Sequence, residues 1–459
     1  MSVVLGGDSG LTLIEVMVSL LIFAIIAVGV AYSLASTVNL TRDARSREVA
    51  INLAAEVIDS ARSVEDIFDV TGEPGDPPVV SRTVGGVMYR VYREAEWVTS
   101  NNVDAQCGAN SGVSAGGSIE YKRVNVTVTW DGMRAGSTPV RSDTLIAPNV
   151  RINDETKGTI LVSVQLASGA GAENLTVTAT PSATTGNTAQ AITVPILPTD
   201  EQGCTYILRV VAGSYNVSIN KTGWVDDSQN NPTTKVVSVT AGGSITAGFQ
   251  YDQAATYVLN YGAAVSPVRK ATNNMVTFVN TYGDKTFTNP AAGGTPLHPF
   301  SVGYQAIAGD PTTPTTQNNG CLSPDPANWP TRASDGAVGV RSASATAAPG
   351  LTVTAPVAMG MVNIGTFSSK WITAVAEPTA PGTDDPGCAL AGSNAIKYTF
   401  GQISSSSNVV IALPFGSWKI YSSTSSGSLG SALSGPVPVS PTDVVHSSVV
   451  TLDPRQVIP

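Results

Sequence analysis

The sequence predicts a mainly β chain led by one long α-helix, and three observations carry that prediction. An apolar run extends from Leu11 to about Leu34 with a single charge inside it, Glu15. Only 13% of the 459 residues are charged, and 44 glycines and 29 prolines are set among abundant Ser, Thr, Ala and Val, a composition of short strands and turns. From about residue 79 onward, short apolar/polar alternations recur between Gly, Pro and Asn turn signals, as half-buried strands require.

The helix comes first. From Leu11 to Leu34 it would rise roughly 36 Å at about 1.5 Å per residue, enough to cross a hydrocarbon core of about 30 Å, so residues 11–36 read as one membrane span. A carboxylate deep in such a span costs roughly 3 kcal/mol, which requires that Glu15 have a partner or a purpose. A cut after Gly10 supplies both, because the new α-amino group on Leu11 of one copy can neutralise Glu15 of a neighbour. Gly10 followed by Leu11-Thr12-Leu13-Ile14-Glu15 closely resembles the type IV prepilin N-terminus, a short leader ending in Gly before a Phe-Thr-Leu-Ile-Glu type motif. The resemblance implies that residues 1–10 are a leader and that a membrane aspartyl enzyme, prepilin peptidase, cuts between Gly10 and Leu11 and methylates Leu11. It also implies that Glu15 registers subunits and that the partners are the membrane and other pilin subunits, met through this helix. Leu11 stands where Phe is commoner. Arg42, Arg45 and Arg47 follow the span while residues 1–10 hold no Lys or Arg, so charge alone favours a cytoplasmic C-terminus. The exported character of the remainder decides for the opposite orientation.

Residues 37–150 read as an α+β domain. The helix continues past the span as an amphipathic segment. Val49, Leu53, Ala54, Val57, Ile58 and Ala61 recur on one face, opposite Arg45, Glu48, Asn52, Glu56, Asp59 and Ser63. Gly72-Glu73-Pro74-Gly75-Asp76-Pro77-Pro78 is its stop signal. Gly85-Gly86 then separates two strands. In the second, Val87, Tyr89, Val91, Ala95 and Trp97 face away from Arg90, Glu94 and Glu96. A third strand places Val124, Val126, Val128 and Trp130 on one side, and residues 140–146 supply a fourth. A long helix on an antiparallel meander is also what the resemblance to pilins and pseudopilins implies, and the composition is most like the minor members of those families.

Beyond about residue 157 the pattern becomes that of β-sandwiches. Strands are expected at 159–164, 175–180, 205–211, 214–219, 235–240 and 245–250 within a module of residues 157–253. Val211-Ala212-Gly213-Ser214-Tyr215-Asn216-Val217 is echoed by Pro414-Phe415-Gly416-Ser417-Trp418-Lys419-Ile420. This internal repeat predicts a second module over 350–459, with strands at 371–375, 409–413 and 446–452. Both copies resemble transthyretin-like or carboxypeptidase-regulatory-like sandwiches, whose hairpin carries a Gly-x-Tyr-x-Val pattern. Residues 254–349, rich in Thr, Pro and Asn, are expected to form a further β region, with strands at 256–261 and 275–279.

Little in the chain points to chemistry. Cys107, Cys204, Cys321 and Cys388 contain no CxxC pair and suit two disulfides in an exported region, for which Cys107–Cys204 and Cys321–Cys388 are the expected pairs. Only two histidines occur, His298 in a turn and His446 elsewhere, and no HExxH, GxSxG or GKS/T motif is present, so neither an enzyme nor a cofactor is expected. Asp226-Asp227 and Asp384-Asp385 hold oxygen ligands of the type that binds Ca²⁺, but both lie in turn-like segments where Asp serves the backbone. Trp224 and Trp329 are expected to pack rather than bind sugar. A net charge of −9 without a basic cluster beyond the span argues against nucleic acid. The function these readings predict is a minor pilin or pseudopilin, anchored by a single pass and then displayed at the cell surface. The alternative is an adhesin that carries β modules to a surface or polysaccharide ligand.

Overall fold

The structure, a computed structural model, describes residues 13–65, 67–72, 78–100, 104–105, 119–133, 136–148, 154–261, 268–312, 320–378, 383–388, 395–406, 408–440 and 443–456. It is mainly β, with mostly antiparallel strand pairs following a 50-residue helix, Leu13–Arg62. The fold class read from the sequence is the one observed.

The helix divides into two functional halves. Its N-terminal part is exposed along its whole length, whereas Ala50, Leu53, Ala54, Val57, Ile58 and Ala61 are buried. That stripe packs on a five-stranded antiparallel sheet, in which Val80–Val84, Val87–Thr99, Ile119–Trp130 and Val140–Ile146 run in chain order as a meander and the short Asp104–Ala105 pairs with Val87–Thr99. The alternating Val124, Val126 and Val128 are fully buried beneath the helix, with Tyr89, Val91 and Trp130 beside them. Helical and strand periodicities thus meet as the sequence predicts. Helix length differs, because the helix stops at Arg62, about ten residues before Gly72. A short turn at Ile67–Asp69 then buries Ile67. Lys122 takes the backbone oxygens released there, its ammonium donating to the Val70 carbonyl at 2.6 Å and to that of Phe68 at 3.4 Å. Phe68, Trp97 and Tyr206 form an aromatic cluster with ring centroids 5.1–6.0 Å apart, which seats the first sandwich on the helical domain.

The first sandwich has one sheet of Trp224–Asp226, Ser244–Gln253, Lys157–Gln165 and Cys204–Val211. The facing sheet has Thr233–Val239, Gly213–Ile219 and Val177–Pro181. Gly213 lies where the chain leaves one sheet for the other, so the repeated phrase is a corner between sheets rather than the expected hairpin. Gly416 does the same between Val410–Leu413 and Gly416–Ser423. Both glycines hold positive φ, +151° and +129°, and a Cβ on Gly213 would strike the Ala189 amide nitrogen at 2.4 Å. The aromatic two residues on is buried in each copy and donates a hydrogen bond to a carbonyl four residues upstream. Tyr215 Oη meets Val211 O at 2.9 Å, and Trp418 Nε1 meets Pro414 O at 2.8 Å. The repeat is therefore a shared way of turning a corner: glycine bends the chain, and the aromatic fills the core while satisfying its own polar tip.

The remainder is interlaced across the boundary drawn at residue 350. Thr352–Ala358 runs parallel to Ala255–Asn260 and Gln305–Ala308, inside a six-stranded sheet that also contains Gly283–Thr288, Met275–Asn280 and Thr295–Leu297. Conversely, Val268–Arg269 pairs with Val410–Leu413, and Val338–Gly339 with Arg455–Gln456. Val410–Leu413 is buried on both faces, its Ala412 in the core of the middle region and its Ile411 and Leu413 in that of the C-terminal region. The two regions are thus built around a common strand. The stretch expected as one strand at 446–452 is two, Val444–His446 and Val449–Leu452, joined by a turn.

Candidate functional site

The helix is the candidate site, because its exposed half carries a large apolar surface. Leu13, Ile14, Phe23, Ile25, Val28 and Leu34 are all more than 60% exposed. Among the described residues this is the one helix long and apolar enough to cross a membrane, and none of its apolar window is buried within the protein. Loss of water contact from such side chains is worth about 1.5–3 kcal/mol each, so the surface calls for lipid or a second helix. Glu15 lies in its first turn, and its backbone carbonyl accepts the Ser19 hydroxyl at 2.8 Å. Gly10 and Leu11 lie outside the described residues.

Where the apolar half ends, the amphipathic half is held to the sheet. Arg62 donates to Thr144 Oγ1 at 2.6 Å, and Arg82 makes two bonds to Glu56 at 2.7 and 2.8 Å. The second pair is solvent-exposed and adds little stability. The buried stripe is what fixes the helix, leaving its first part to project.

The cysteines act far from the helix. Cys321 and Cys388 are joined by a disulfide that pins together two long loops of the C-terminal region. Cys204 is also disulfide-bonded, while Cys107, its expected partner, lies outside the described residues.

The other singled-out residues serve the framework. Asp226 is a turn residue, its Oδ1 accepting from the amides of Ser228 and Asn230 at 3.0 and 2.6 Å. Asp385 is buried and accepts the hydroxyls of Ser323 and Ser417, and Asp384 pairs with Arg455. Among the described residues no cluster of His, Cys, Asp or Glu is arranged to hold a metal. His298 is fully buried where the first sandwich meets the middle region, and burial holds its pKa below the usual histidine value. Trp329 is buried, with Nε1 donating to Ser323 O at 2.9 Å, and half-buried Trp224 lies under the Lys221 ammonium.

Sequence reasoning missed Arg455, whose side chain is 2% exposed. Its guanidinium donates to both oxygens of Asp453, to Asp384 and to the carbonyls of Pro330 and Thr383. The only local signal is Asp453-Pro454-Arg455, a charged pair one residue apart in an otherwise uncharged tail.

Comparison with known proteins bears on the N-terminus. A family model described as the prokaryotic N-terminal methylation motif matches residues 6–31. No curated protein matches the chain. Among solved structures, the Bacillus anthracis TIE protein aligns over 83% of this chain and 71% of its own at 10% identity and a TM-score of 0.18. A streptococcal ancillary pilin aligns over 52% and 76% at 9% identity and a TM-score of 0.19. BcpA, the major pilin subunit of Bacillus cereus, aligns over 62% and 96% at 10% identity and a TM-score of 0.19. Likenesses this distant carry no argument about this chain. The motif and the helix that continues it do: with residues 6–31 matching the N-terminal methylation motif, a long exposed apolar helix and a β-rich remainder, the chain carries a type IV prepilin-like N-terminus.

Proposed function

We propose that the chain is a minor subunit of a type IV pilus or pseudopilus. Prepilin peptidase cuts it after Gly10 and methylates Leu11. It waits in the membrane as a single-pass protein and enters the filament through its N-terminal helix. The observation that carries this reading is the division of that helix: an exposed apolar half opening with the methylation motif, and a half whose buried stripe locks it to a folded domain. Such a helix hands its apolar surface from lipid to neighbouring subunits without disturbing the domain it carries. The roughly 300 residues after the first domain, on the order of two or three further domains, favour a rare or terminal position, since a lattice of such subunits would crowd its own exterior. The role is structural, and nothing in it requires catalysis. A second reading, a binding protein displayed on the filament, is favoured by the cavity described below.

The test is incorporation. Glu15→Ala should leave the membrane level of the protein unchanged, because the span becomes more apolar, and lower its abundance in sheared filaments at least tenfold, because the contact with a neighbour's amine is gone. Quantitative mass spectrometry should find the unaltered chain at a few copies per filament. Equal incorporation of the variant, or abundance equal to that of the principal subunit, would contradict the proposal.

A further inference from the structure

The first sandwich and the middle region meet at a loop and a hairpin, and between them a cavity of about 200 Å³ opens to solvent. One wall is the loop at residues 227–229, the other the turn joining Met275–Asn280 to Gly283–Thr288. Both walls are locked. Gln229 holds a φ of +66°, a conformation that costs a non-glycine residue about 1 kcal/mol or more. Its side chain keeps it there, Nε2 donating to Tyr304 Oη at 2.9 Å and Oε1 accepting the His298 amide at 2.6 Å. Across the cavity, Asn280 Oδ1 accepts the Tyr282 amide at 2.8 Å, while Asn280 Nδ2 is buried beside Tyr304 without a well-formed hydrogen bond. Tyr282 is 69% exposed yet does not swing freely. Its ring lies flat on Phe300, 4.3 Å between centroids and 9° between planes, and Phe300 is wedged in turn against His298.

A joint built for stability alone has no use for these features. A buried donor left unmade costs about 1–3 kcal/mol, a strained loop residue costs more, and a rigid exposed aromatic gains nothing from water. Together they suit a ligand with one flat apolar face and several hydroxyls. The cavity is smaller than the roughly 300–1,000 Å³ of a site for a drug-sized molecule, and of the right order for one six-membered sugar ring whose chain continues into solvent. The local charge narrows the class. Asp227, Asp284 and Lys285 line the cavity, the Lys285 ammonium being turned to Ser228 O at 3.3 Å, and the Arg341–Asp325 ion pair acts on Asp284 from outside it. The two carboxylates in the lining disfavour acidic sugars and accept hydroxyls in charge-assisted hydrogen bonds.

We propose that this cavity is a saccharide subsite, in which one uncharged hexose ring of a surface polysaccharide lies against Tyr282 and its hydroxyls meet Asn280, Asp227 and Asp284. The proposal deepens the display reading and is independent of filament entry, because it is tested on the isolated full chain. That chain, held in a detergent without a sugar headgroup, is titrated calorimetrically with cellotetraose, chitotetraose and oligogalacturonate. Saturable binding of at least one uncharged tetrasaccharide is expected, weakened at least tenfold by Tyr282→Ala and by Asn280→Ala, with no binding of oligogalacturonate. Tyr282 sits on an exposed turn, so its alanine variant keeps the fold and alone decides the question if Asn280→Ala does not fold. Absence of saturable binding, binding unchanged by Tyr282→Ala, or preference for oligogalacturonate would overturn the proposal.

Discussion

Replacing Arg455 by Met should destabilise the C-terminal region by about 3–5 kcal/mol, the usual cost of breaking a buried ion pair from one side. The arginine is 2% exposed and Asp453 5% exposed, so neither charge has water to fall back on. Every guanidinium nitrogen is engaged: Nε and Nη2 grip Asp453, with a shortest contact of 2.7 Å, and Nη1 and Nη2 reach Pro330 O and Thr383 O at 3.0 and 3.1 Å. Without them, Asp453 retains the cation of Arg332 at 3.3 Å, beside the Arg455 amide at 2.8 Å. The Pro330 and Thr383 carbonyls lose a donor as well. Arg455→Lys should recover less than half of the loss, because an ammonium cannot reproduce a planar fork that spans a carboxylate and two carbonyls. Hydrogen exchange along Gly416–Ser423 and Val449–Leu452, the strands beside this network, is the measurement. A loss below 1 kcal/mol, or full recovery with lysine, would show that the network is dispensable.

Removing the Cys321–Cys388 disulfide should cost about as much. The bridge closes a segment of 67 residues, and the chain-entropy estimate for a loop of that length is about 4 kcal/mol. This segment is more than a surface loop. It includes Gly360–Asn363 and Phe367–Ala376, which line both sheets of the C-terminal core, and both cysteines are themselves buried. Freed of the bridge, the loops are still tied by the Leu322 amide donating to the Gly387 carbonyl at 2.9 Å and by the Ser323 hydroxyl donating to Asp385. The double Cys321→Ser/Cys388→Ser variant, which leaves the bridge at Cys204 intact, should therefore lower the exchange-derived stability of this region and leave the helical domain unchanged. A loss confined to the residues next to the cysteines would contradict this.

What the sequence makes legible, and what it hides, follows from the range of the interactions. Local periodicity is unambiguous where one face is buried: Leu53, Val57 and Ala61 on the helix, and Val124, Val126 and Val128 on the strand, lie where their spacing requires. The Gly-x-aromatic repeat is legible for the same reason, since glycine must bend the chain and the aromatic must be buried. Whether the bend makes a hairpin or a corner is hidden, because both need the same positive φ and differ only in which distant strands wait on either side. Long-range pairing is hidden too. Nothing around Val268-Arg269 announces Val410–Leu413, and nothing around Thr352 says that it completes a sheet begun at Ala255. The helix end depends on Lys122, which takes up carbonyl oxygens from the turn after the helix and lies in another element altogether. At the functional end the motif is local and legible. At the cavity it is not, since Gln229, Asn280 and Tyr282 meet only through the contact of two modules.

The proposed maturation as a prepilin is read out by the mass of the N-terminal peptide. In filaments sheared from cells that contain prepilin peptidase, the first residue should be Leu11 carrying one additional methyl group, with no peptide from residues 1–10. A filament-borne chain that still begins at Met1, or an unmethylated N-terminus created elsewhere in the span, would contradict it.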